Sequence, residues 1–168
     1  MKGFSALLVV LVLLASAGCK PKAKNIPPLQ RKEAASLVSE AQFAMVMRDL
    51  ARAEPLYDKA TKLCPDNGDY WLALGMTRRR MANTAGTKAA YEQARAAFRD
   101  AFEIDRTQVD ALLQELYVLC LLGRVDEART TFTKARKKDP ANPQLRAFEE
   151  GKQIDHLMQD SGFKELAL

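Results

Sequence analysis

The stretch that decides the fold is Gly123–Pro140, GRVDEARTTFTKARKKDP. Gly123 interrupts an apolar run, and Val125 to Lys137 read as a helix with Ala128, Phe132 and Ala135 recurring on one face. Pro140 stops it, because proline donates no helical hydrogen bond and its ring clashes with the preceding turn. The same small–aromatic–small face appears twice upstream, as Ala53, Tyr57, Ala60 and as Ala94, Phe98, Ala101. Each position steps by 41 residues and then by 34. Such a period marks helix–turn–helix units that bury their apolar faces only against their neighbours.

The 34-residue step, together with Trp71-Leu72-Ala73-Leu74-Gly75 read as W-x-x-L-G, resembles the tetratricopeptide repeat family. That resemblance implies an all-α, right-handed superhelical solenoid of three repeats over 33–67, 68–108 and 109–142, followed by a capping helix and tail in 143–168. Pro65 and Pro140 would close the first and third repeats. Gly75 would let the paired helix approach closely, with Trp71 filling the groove beside it. Arg78 stands where the family carries tyrosine, and Arg106 where it carries the closing proline, so the second repeat is expected to end less firmly.

Its two helices are separated by seven extra residues, close to two helical turns. One added turn on each helix would keep the packing phase, with Asn83 to Gly86 as the loop and Thr87 as the next N-cap. Pro55 is expected in the first turn of its helix, and a continuous final helix from Pro143 to about Gln159.

The formal charge of +5 is unevenly spread. Six of the 26 basic residues precede Glu33, leaving 20 against 21 acidic residues in the remainder. A body so nearly neutral lacks the concentrated basic face that nucleic acid requires. Lys2 and an uncharged run from Phe4 to Ala17 read as a signal-peptide core, too short to span a bilayer. Ser16-Ala17-Gly18-Cys19 resembles the lipobox of bacterial lipoproteins, although Ser16 replaces the usual leucine.

By that resemblance residues 1–18 are a leader, Cys19 is the acylated residue, and its acyl chains hold the protein in a membrane. Lys20, where inner-membrane lipoproteins of enteric type carry aspartate, points to the outer membrane facing the periplasm. Residues 19–32 would form a basic, proline-containing tether.

No residue set carries catalysis. The single histidine, His156, has no partner motif, and no phosphate loop or metal-ligand spacing appears. Cys64 and Cys120 read as buried thiols. No cofactor, metal or small-molecule substrate is expected, and what remains is a surface. First helices line the concave side in this family, so Gln42, Met45, Met76, Arg79, Asp110, Leu113 and Tyr117 are the expected groove residues, flanked by Val38, Asp69, Leu72 and Cys120. The expected role is a non-enzymatic, membrane-anchored periplasmic adaptor holding a protein or peptide, of a kind used in envelope, pilus or secretion assembly. The alternative is a structural subunit of an envelope complex, held by its convex face or capping helix.

Overall fold

A computed structural model describes residues 21–168. The expected leader and Cys19 lie outside the described residues. The helices are α1 (Pro28–Val46), α2 (Leu50–Leu63), α3 (Gly68–Arg80), α4 (Thr84–Ile104), α5 (Val109–Leu121), α6 (Val125–Lys138), α7 (Pro143–Glu150), α8 (Gln153–Gln159) and α9 (Ser161–Leu166). The described residues contain no strand. From α1 to α6 each helix packs chiefly on the next, the nearest-neighbour pattern of a solenoid.

Two kinds of turn build this pattern. Within each hairpin three residues connect the helices, and the middle one is left-handed: Arg48 (φ 59°), Ala82 (φ 58°) and Gly123 (φ 72°). The N–H that follows reaches back five residues, from Asp49 to the Ala44 carbonyl, Asn83 to Arg78 and Arg124 to Leu119. This is the Schellman closure, which satisfies carbonyls a helix end leaves free.

Between hairpins the connections are 64–67, 105–108 and 139–142. Asn67 and Asn142 cap the next helix by accepting from Asp69 and Tyr70, and from Gln144 and Leu145. At the middle connection Gln108 makes no such cap. Instead the Asp105 carboxylate accepts from the Thr107 N–H and hydroxyl and from Gln108, while Arg106 lies 4.7 Å over the Phe102 ring. A different set of contacts thus closes the turn whose proline is replaced.

Several expectations need correction. Residues 28–32, read as tether, are the first turns of α1, with Pro28 placed where its missing N–H costs nothing. The seven added residues are not shared between two helices. α3 has 13 residues, like α5, whereas α4 has 21 against 14 in α2 and α6. All the added length is in α4: its start is in register with α2, with Asn83 rather than Thr87 as the cap accepting from the Gly86 N–H, and it runs seven residues further at its C-terminal end.

α2 begins at Leu50, so Pro55 sits in its second turn and leaves the Ala51 carbonyl without its helical donor. The expected continuous capping helix is broken into α7, α8 and α9. Gly151 ends α7 and Lys152 turns left-handed (φ 45°).

The repeated faces lie inside. Ala53, Tyr57, Ala60, Ala94, Phe98, Ala128 and Phe132 are buried, while Ala101 and Ala135 are half-buried. Leu74 is buried beneath α2 and α4. An added Cβ on Gly75 would stand 2.4 Å from the Tyr91 ring, so any side chain there forces α3 and α4 apart. Trp71 donates its Nε1–H to the Pro65 carbonyl at 3.1 Å, tying the preceding turn to α3. Pro140 is exposed, and its carbonyl accepts from Arg136. At the tyrosine-replacing position, Arg78 reaches Glu54 at 2.7 Å and Asp58 at 3.1 Å, clamping α3 to α2.

Candidate functional site

α3 and α5 have equal length, so Asp69 and Asp110, Leu72 and Leu113, and Met76 and Tyr117 occupy equivalent positions 41 residues apart. They form one surface running along both helices. Near the N-terminal ends lies an open polar cleft of about 380 Å³, lined in part by Asp69, Phe98, Asp110 and Gln114. Near the C-terminal ends the surface is filled by the chain itself.

α8 packs on α5, and α9 crosses α5 to reach α3. Phe163 is 4% exposed and meets the Tyr117 ring edge-on, with centroids 5.4 Å apart at 74°. The remaining polar contacts are to the backbone of the segment. The Arg79 Nε–H donates to the Glu165 carbonyl at 3.1 Å, and the Tyr91 hydroxyl donates to the Leu166 carbonyl at 3.0 Å. The Leu168 N–H donates to the Leu121 carbonyl at 2.8 Å. Tyr91 is otherwise fully enclosed, and burial pushes its hydroxyl up to about 12, so it stays a donor across the physiological range. Leu166 and Ala167 pack half-buried on the same cluster.

Tyr117 is covered by Phe163, and Arg79 is engaged by the Glu165 carbonyl. Met76 and Leu113 are half-buried against the main cluster. Asp110 accepts from Gln144 of α7 at 3.0 Å. Met45 turns toward α3, where its sulfur lies 3.5 Å from the Thr77 hydroxyl, which donates to the Ala73 carbonyl at 2.8 Å. Gln42 faces solvent.

Of the flanking residues, Val38 packs half-buried on the first cluster and Cys120 is fully buried. The expected open groove is therefore corrected: its α3–α5 end is occupied from within. The adjacent Arg78-Arg79-Arg80 run is split three ways, toward α2, toward α9 and toward solvent.

Sequence reasoning missed Phe163, Leu166 and the Tyr91 hydroxyl. The available signal was the Phe163, Leu166 spacing of three beyond the expected helix end at Gln159, a single turn of apolar face.

A second feature lies on the far side of α5. Glu115 is 5% exposed beside a cleft of about 380 Å³ that also holds Arg95, Arg99, Glu103, Glu127 and Lys134. Burial pushes its carboxyl up to about 7, against the opposing pull of Arg95 and Arg99.

Cys64 and Cys120 are free and buried, and desolvation raises both thiols. Among the described residues no group of three or more His, Cys, Asp or Glu is placed to hold a metal ion. Nor is any described helix long and apolar enough to cross a membrane.

No curated protein matches the chain. The tetratricopeptide repeat family model matches residues 88–150, from the first turns of α4 to the last residue of α7. The match runs through one complete hairpin and continues into α7, which opens with the same asparagine-capped turn as α3. Residues 88–150 are thus similar to tetratricopeptide repeat, and the all-α stack of helices among the described residues is consistent with a solenoid of that type.

Proposed function

We propose that the protein is a non-enzymatic adaptor, anchored to a membrane through Cys19 on the periplasmic side of the cell envelope, that holds a protein or peptide partner on the concave surface of its repeats. Tetratricopeptide repeats are typically protein-interaction modules, and the family match over 88–150 is the observation that carries this reading. Support for the anchor comes from Ser16-Ala17-Gly18-Cys19 at the end of an apolar run, and for outer-membrane placement from Lys20. Assembly of an envelope, pilus or secretion structure is the setting such an anchored adaptor suits.

In-cell photo-crosslinking separates this from a structural subunit held by its outer face. Probes at Gln42 and Arg80, both exposed beside the groove, should capture a common partner, whereas probes at Lys59 and Lys134 should not. Capture confined to Lys59, Lys134 or the α7–α9 region would overturn groove binding. The anchor has a separate readout. Cys19→Ala should move the protein from the membrane fraction to the soluble fraction, and an unchanged distribution would remove that part.

A further inference from the structure

We propose that the C-terminal ends of α3 and α5 form a peptide-docking surface closed by the chain's own Asp160–Leu168, and that the partner it takes is a short helical turn carrying an aromatic residue and, three residues on, an aliphatic one. This rests on the groove reading above and specifies what the groove recognises.

The segment in place shows what the surface selects. It contributes one fully enclosed side chain, Phe163, which fits against Tyr117. Leu166 follows on the same face, while Ser161, Gly162, Lys164 and Glu165 point to solvent. Arg79, Tyr91 and the Leu121 carbonyl engage only main-chain groups, at Glu165, Leu166 and Leu168. Any peptide backbone offers those groups, so identity is read at two apolar positions and the rest of the contact is indifferent to sequence.

Nothing else holds α9 strongly. It has six residues, too short to be helical alone, and joins α8 through Asp160, whose carboxylate caps it at the Phe163 N–H. Two of the expected groove residues, Arg79 and Tyr117, contact the segment directly, so it lies where a ligand was expected rather than at an unrelated face. A segment with these features is held by the contacts a competing peptide would make, and a competitor must overcome both its own ordering and the effective concentration of the tethered segment.

The test uses the full chain and a fluorescent peptide copying Asp160–Leu168, DSGFKELAL. Phe163→Glu should dislodge the internal segment, and the variant should bind the peptide at least ten-fold more tightly than wild type. Changing the peptide's own phenylalanine to alanine should abolish that binding. Failure of a folded Phe163→Glu variant to bind, or equal binding by wild type, would overturn the proposal.

Should Phe163→Glu unfold by circular dichroism, hydrogen exchange on the wild type decides. The amides of Lys164, Ala167 and Leu168 should exchange at least a hundred-fold faster than those of Leu116 to Leu119, and equal protection would make the segment an inseparable part of the core. The peptide assay needs no cellular partner. Loss of groove crosslinks with retained peptide exchange would therefore sink the adaptor reading alone.

Discussion

The two ends of the helical stack are finished in opposite ways. At the C-terminal end α6 is covered: Phe132 meets the Phe148 ring at 5.1 Å, Arg136 pairs with Glu149 at 3.0 Å, and Arg129 with Asp155 at 2.6 Å. At the other end the outer face of α1 leaves Phe43, Val46 and Met47 to solvent, with Val46 79% exposed. Leu29, in the first turn of α1, is also exposed. A repeat buries its apolar face only against a neighbour, so an end without one either turns polar or stays bare. The difference shows that the stability of this stack is concentrated toward α5 and α6, where the largest buried cluster lies.

Four sets of substitutions test that contrast, in falling order of effect. Phe132→Ala should destabilise by about 3–5 kcal/mol, because it removes a buried ring and leaves a cavity beneath α7. Chemical denaturation measures this, and a loss below about 1 kcal/mol would mean the C-terminal cover contributes little.

Glu115→Gln addresses the one buried carboxylate of the better-packed half. Its folded value of about 7 lies above the ordinary 4.5, so the folded state favours the protonated form. That preference is fully expressed below pH 4.5 and is lost as pH rises through 7. The variant should therefore gain about 2–3 kcal/mol over wild type at pH 8 and almost nothing near pH 4. A gain independent of pH would contradict the assignment.

The three hairpin turns sharpen the comparison at matched geometry. Gly123 occupies the left-handed position in the third, whereas Arg48 and Ala82 carry it in the first and second. Arg48→Gly and Ala82→Gly should each stabilise by about 1 kcal/mol, and Gly123→Ala should cost a similar amount. A Cβ on Gly123 meets only the Leu168 carbonyl, at 3.9 Å, so thermal melts of that variant report backbone strain rather than a clash. Smallest of all, Phe43→Ser should shift stability by no more than about 0.5 kcal/mol, since the residue is 60% exposed. A loss comparable to that of Phe132→Ala would show that the α1 face is covered in solution.

The repeats were readable because Ala53-Tyr57-Ala60 and its two copies state a helical face three times in one phase. The C-terminal segment was not, because a six-residue helix offers two apolar positions and no periodicity to count. Gly151-Lys152 did carry a break signal, and a helix run through to Gln159 overrode it. Helical spacing puts Met76, Arg79, Leu113 and Tyr117 along α3 and α5, but spacing cannot say what another part of the chain lays over them. Likewise, both ways of distributing the seven added residues preserve phase, and only the Asn83 cap decides between them.

That lengthening of α4 sets a rule for altering the protein. Seven residues carry a helix through about 700°, within roughly 20° of two full revolutions, so Ala94, Phe98 and Ala101 still meet their neighbours. Five would have swung the triad by about 140° and aimed the Phe98 ring at water. Residues engineered into α4 itself should come as a block of seven, or the stack beyond it loses its alignment.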